Sequence, residues 1–345
     1  MDAFAPRSLS IELELDRLDA SIGAAVGEYL DARWRGREMS PDRGPPLPAA
    51  LCDPATRERL AAWRHDSRRA EMLWRWTITA AVETDPAVAA AVRARDPRAV
   101  ATARNAVARR LGYPDYGKLA RAQAELDTPR AAGTRAPAPP KVPGTQFATP
   151  HSSEMTRQLS AWGIDVTRAT LDVKVGGTLA AGRTFPVAAP RDVRAFVRAP
   201  DSAAGARVLA HELGHVAYAL GLDAGAPWSL RAAPSRAIDE AVATLVERWL
   251  APRDATDADR AAARAERERR AYACADGAAV LSDAMIDDPG AQLAYHQSHA
   301  IADVLERAAS RAPAVRRGEW LAERVFRAGA GCSVAQILAR VESAL

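Results

Sequence analysis

Five consecutive residues, His211-Glu212-Leu213-Gly214-His215, constrain this chain more than any other feature. They lie inside an apolar run, with Val208-Leu209-Ala210 before them and Val216-Ala217-Tyr218-Ala219-Leu220 after. The spacing predicts a helix over residues 205–220. On a helical wheel Leu209, Leu213, Val216 and Leu220 fall within about 60° of one another and form a core stripe. His211 and His215 project from the opposite half, roughly 200° away, where a core histidine would not be placed. Two histidines four residues apart share one helix face and can hold a single zinc ion. The glutamate after the first histidine then stands beside a metal-bound water and can act as its general base, which points to hydrolysis.

A catalytic zinc usually takes three protein ligands and leaves one position for water, so a third ligand must come from elsewhere. Glu240 is the best candidate. It belongs to a second amphipathic helix over residues 237–250, whose core stripe is Ile238, Val242, Leu245 and Trp249. Glu240 and Glu247 both point away from that stripe. Glu240 is followed by Ala241-Val242-Ala243-Thr244, so the acid sits in an apolar stretch. An unpaired buried carboxylate is expensive, and a zinc ion removes that cost. Glu247 could reach the second ring nitrogen of a ligand histidine and fix its tautomer; a surface acid paired with Arg248 or Arg253 is the competing reading. An oxyanion donor is also needed. On a helix over residues 292–309, Tyr295 and His299 are neighbours four apart, far from the stripe of Ile301, Val304, Leu305 and Ala308, and either can donate. His65, flanked by Arg64 and Asp66, and His151 read as surface residues.

The remaining composition narrows the class. The 345 residues are 48% hydrophobic and 26% charged, which is ordinary for a globular chain. Net charge is +4, from 47 basic and 43 acidic residues, with no isolated Lys/Arg block, so no nucleic-acid footprint is present. No run of 18 or more apolar residues offers a membrane span. Cys52, Cys274 and Cys332 are an odd, sparse set without C-x-x-C spacing, which fits a reducing compartment rather than a disulfide framework. The expectation is a cytoplasmic protein with one Zn2+ per chain, a peptide or small amide as substrate, and no nucleic-acid or membrane partner.

Along the chain, residues 1–126 read as a helical lobe. Residues 11–34 are periodic. Asp53-Pro54 opens a helix expected to run to Val82, and Asp85-Pro86 and Asp96-Pro97 open two more by the same N-cap and N1 logic. A short helix should end near Leu126. Residues 127–150 are rich in Pro, Ala, Gly and Thr and read as a linker or loop. Residues 151–345 then form the zinc-binding domain, the two lobes packing as one unit. Its strands are expected at 171–175 and 193–198, where side chains alternate. Further helices are expected at 152–162, 254–275, 315–327 and 334–345.

With these residues placed, the chain resembles the gluzincin metallopeptidases, most closely the helical group holding the thimet-oligopeptidase/oligoendopeptidase-F and angiotensin-converting-enzyme families. The stretch from Arg104-Asn105 to Tyr116 is similar to an R-N-x-x-A-x-x-L-G-Y-x-x-Y segment of those enzymes. Residues 211–218, H-E-L-G-H-V-A-Y, resemble their zinc helix. Residues 238–249 resemble their glutamate helix, with Thr244 where the converting enzymes carry a second acid, and residues 329–338 resemble their C-terminal ending. The resemblance implies a mainly α zincin-like fold with a small antiparallel sheet next to the zinc-binding helix. It also implies that an edge strand, placed at residues 192–199, binds extended substrate, and that Tyr295 is the oxyanion tyrosine. The function expected is zinc-dependent hydrolysis of peptide bonds. Two alternatives stay open from the residues alone: an amidase or tailoring enzyme acting on a non-peptide small molecule, and a metal-free scaffold descended from a peptidase.

Overall fold

A computed structural model describes residues 5–36, 49–123, 125, 147–178, 180–251 and 289–343. The expected helix at 254–275, Cys274 and most of the expected linker lie outside the described residues.

The N-terminal part is helical, as expected: α1 (Ala5–Arg35), α2 (Ala49–Cys52), α3 (Pro54–Trp63), α4 (Arg68–Glu83), α5 (Pro86–Arg93), α6 (Pro97–Arg110) and α7 (Tyr116–Gln123). Asp53, Asp85 and Asp96 each accept backbone N–H bonds from the first turn, and a proline follows each one. This Asp-Pro device satisfies orphan N–H donors and presets the first helical φ. The helix expected from Pro54 to Val82 is two helices. The chain breaks after Trp63, and Ser67 caps α4 by accepting from Ala70 N.

Helix α8 (Ser152–Ala161) leads into a three-stranded sheet of β1 (Thr170–Val175), β2 (Ala181–Ala188) and β3 (Asp192–Ala199). The strand order is β1-β3-β2. β1 pairs with β3 in parallel, Thr170 opposite Arg194, and β2 pairs with it antiparallel, Thr184 opposite Ala195. The sheet is therefore mixed rather than purely antiparallel, and β3 is central, not an edge as expected. β2 was not foreseen, because Gly182 and Pro186 are poor strand residues. Pro186 fits because β2 is an edge strand with a register shift between Phe185 and Ala188.

Successive residues of a strand face opposite sides. Val193, Ala195 and Val197 join the main core with Leu209, Leu213 and Val216 of α9 (Ala203–Leu220). On the other side Phe185 meets Trp34 of α1 edge-to-face at 5.8 Å. α10 (Arg236–Leu250) packs against α9 and against α11 (Pro289–Ala309). The expected stripes hold: Ile238, Val242, Leu245 and Trp249 are all buried. Residues expected as one helix at 315–327 are instead α12 (Arg317–Leu321) flanked by a short tight turn and a π turn, and α13 (Val334–Glu342) closes the chain behind a Ser333/Gln336 capping box. Cys52 and Cys332 are free thiols. No described helix is long and apolar enough to cross a membrane.

Candidate metal centre

The site is made where α9 and α10 approach. The approach is close because residue 214 is glycine: a Cβ there would lie 2.5 Å from Ala243 Cα. The two small residues let the helix backbones meet, and this brings Glu240 of one helix to the histidines of the other. Glu240 Oε2 lies 3.2 Å from His211 Nε2 and 3.8 Å from His215 Nε2. The three donor atoms all lie within 4.8 Å of one another. A tetrahedral zinc with bonds of 2.0–2.2 Å holds its ligand atoms about 3.4 Å apart, so the spacing suits one zinc ion.

The other ring nitrogens are held as well. His211 Nδ1 lies 3.1 Å from Glu247 Oε2, the contact anticipated for Glu247. His215 Nδ1 lies 2.9 Å from Asp239 Oδ1, a partner that reading the sequence missed. The signal was available, since Asp239 is a second acid beside Glu240 at the start of an apolar helix. Thr244, where the resembling family has an acid, is buried and contributes none. Both histidines thus present Nε2 to the centre and Nδ1 to a carboxylate, the usual arrangement for imidazole ligands.

The electrostatics favour a cation. Burial opposes the charged form of His211, but Glu240 and Glu247 outweigh it and raise its pKa well above the usual value. Burial likewise opposes His215, and Asp239 and Glu240 prevail. Burial pushes Glu240 up, yet His215, His211 and Arg236 hold it at about 2. Asp239 is also lowered, burial being outweighed by His215 and Arg236. Three carboxylates, Asp239, Glu240 and Glu247, gather around two imidazoles and Arg236. With both rings neutral, the form that binds a metal, two negative charges remain in excess. Buried charge is costly unless paired, so this donor set fits a dication.

Glu212 is buried and is gripped from β2, where Thr184 Oγ1 donates to its Oε2 at 2.7 Å. His299 lies on α11 against Arg248, whose Nη2 donates to its Nδ1 at 3.2 Å. Arginine only donates, so the ring proton of a neutral His299 sits on Nε2. The side chain of Tyr295 lies outside the described residues. His65 and His151 are not part of the donor cluster; Arg64 Nε donates to His65 Nε2 at 3.3 Å, and the ring of His151 pairs with Thr149.

No family model and no curated protein matches the chain. Solved structures do. An M32 carboxypeptidase from Deinococcus radiodurans R1 is similar with a TM-score of 0.58 and 16% identity, covering 96% of this chain and 95% of that one. A protein named CHT gives 0.59 at 13% identity, with 96% and 95% covered. Metallocarboxypeptidase 1 of Trypanosoma cruzi gives 0.50 at 12% identity, again with 96% and 95% covered. At such identities the likeness is one of fold. Together with the His-His-Glu triad, it makes this a gluzincin-type zinc-metallopeptidase fold with, among the described residues, one cluster able to hold a zinc ion.

Proposed function

We propose that the chain is a zinc-dependent metallopeptidase acting on small or unstructured peptides. The observation that carries this reading is the meeting of His211, His215 and Glu240 from two helices, with the buried carboxylate of Glu212 next to His211 in the chain. His211, His215 and Glu240 would hold the ion. When bound there, zinc supplies a Lewis acid that polarises the scissile carbonyl and makes water nucleophilic near neutral pH. Glu212 takes the proton of the attacking water and later gives it to the leaving amine. Glu247 and Asp239 keep the two imidazoles turned so that Nε2 faces inward. Tyr295, with His299 one turn further along α11, is the proposed donor to the oxyanion, and the tautomer that Arg248 imposes on His299 suits it to donate.

An extended substrate would lie along β2, the edge strand whose Gly182–Thr184 segment borders Glu212, rather than along central β3. Backbone hydrogen bonds to such an edge bind peptides without regard to side chains. We keep the motif-level resemblance to the oligopeptidase and converting-enzyme families as part of this reading, while the carboxypeptidase names of the fold neighbours make release of C-terminal residues the first specificity to assay. The sparse cysteines support a reducing, cytoplasmic setting. A metal-free scaffold is disfavoured, because it gives no reason for His211, His215 and Glu240 to converge on one point.

The test is zinc analysis of protein purified without chelator, followed by a peptide library read by mass spectrometry. Stoichiometric zinc and cleavage that disappears in Glu212→Gln, with zinc retained, are expected. Zinc without cleavage of any peptide would move the reading to a non-peptide amide. Full activity in Glu212→Gln would remove Glu212 as the base.

A further inference from the structure

We propose that strand β2 aims the general base: Thr184 is a positioning residue for Glu212, and Gly182 is the space its carboxylate needs. The inference rests on the hydrolytic reading above. Thr184 Oγ1 lies 2.7 Å from Glu212 Oε2 and 3.4 Å from the Glu212 carbonyl oxygen. Two residues earlier on the same face, an ideal Cβ on Gly182 would lie 2.4 Å from Glu212 Cγ and 2.9 Å from both Cδ and Oε1. The carboxylate therefore lies across residue 182 with one oxygen tied to residue 184.

Neither residue is what the strand alone would select. Gly182 weakens a strand, and glycine inside one often marks close approach of another group. At position 184 any β-branched residue satisfies the ladder, whose pairing with Ala195 is made by the backbone. Only threonine combines that shape with a hydroxyl donor. Its χ1 is stiff, so the donor is fixed in direction by the sheet. A glutamate has three side-chain torsions, and a base that wanders among rotamers spends little time within reach of the proton it must take. An ionised carboxylate has about four lone-pair sites, so one bond from Thr184 leaves Oε1 able to accept that proton.

The experiment uses the zinc-loaded full chain and a peptide it cleaves. Thr184→Val should lower kcat about 10- to 100-fold, the worth of one hydrogen bond to a charged group. KM and zinc affinity, measured by chelator competition, should stay within about twofold, a change worth under half a kcal/mol. Thr184→Ser should recover most of the lost kcat. Gly182→Ala should lose kcat while keeping zinc. A wild-type kcat in Thr184→Val, a serine variant no better than the valine one, or a loss of zinc affinity matching the loss of kcat would each overturn the proposal. Unfolding midpoints of Thr184→Val, Glu212→Ala and the double variant give a readout independent of turnover. Coupled effects are expected, and strictly additive effects would overturn the contact itself. If the wild-type chain cleaves no amide, the hydrolytic reading fails separately, and this cycle still decides whether Thr184 holds Glu212.

Discussion

Gly214→Ala isolates the packing on which the metal centre depends. An ideal Cβ at residue 214 would stand 2.5 Å from Ala243 Cα, 3.1 Å from its carbonyl oxygen and 3.2 Å from its nitrogen. All three are backbone atoms, so no rotamer change relieves the contact. Carbon atoms pack at about 3.5–4.0 Å, so α9 and α10 must part by roughly 1 Å at this point. Overpacking of that kind costs about 1–3 kcal/mol. The same movement carries Glu240 away from His211 and His215. Zinc sites tolerate about 0.2 Å, so zinc affinity should fall as well. A 100-fold weaker affinity removes about 2.7 kcal/mol of zinc-linked stability at a fixed excess of zinc. Urea unfolding with and without a chelator measures both effects. The variant should lose about 1–3 kcal/mol when stripped and distinctly more when zinc-loaded. If both forms unfold within about 0.5 kcal/mol of the wild type, the close approach at Gly214 does not organise the site.

Three further outcomes are expected. Asp239→Ala and Glu247→Ala should each weaken zinc binding about 10- to 100-fold in chelator competition, since each removes the partner that orients one imidazole; unchanged affinity in both would show that the rings are held by packing alone. Removing zinc with a strong chelator should abolish hydrolysis and lower the thermal midpoint, and added zinc should restore both; stability indifferent to zinc would count against a buried site. The third concerns pH. Burial raises the pKa of Glu71, but Arg75 and Arg68 outweigh it and leave it lowered from 4.5. A lowered carboxylate contributes stability above its unfolded pKa and loses it as pH falls through the folded value. Glu71→Gln should therefore narrow the stability difference between neutral pH and pH below 4.5, read by urea midpoints across that range; an unaltered acid profile would contradict it.

The centre was legible in the sequence because each half of it lies within one helix. The wheel puts His211 and His215 opposite the stripe of Leu209, Leu213, Val216 and Leu220, and it puts Glu240 and Glu247 opposite Ile238 and Trp249. What a wheel does not carry is how two helices cross. Asp239 is about 100° around α10 from Glu240, yet it meets His215, because α10 lies across the face that bears both histidines. Gly214 occupies a position that the H-E-x-x-H pattern leaves open, and only the contact with Ala243 explains it. The sheet was the least legible part. β2 carries Gly182 and Pro186 and shows no clean alternation, although it supplies the grip on Glu212. Strand order cannot be read from alternation either: the family resemblance implies an edge strand at residues 192–199, whereas β3 is flanked on both sides. The break before α4 turned on one capping serine inside a run that is otherwise helical in pattern.

Anomalous diffraction recorded on both sides of the zinc absorption edge, from crystals grown without added metal, addresses the centre directly. A single peak is expected about 2.0–2.2 Å from His211 Nε2, His215 Nε2 and a Glu240 carboxylate oxygen. A peak bound elsewhere, or a filled crystal with Glu240 turned away from the ion, would contradict the account.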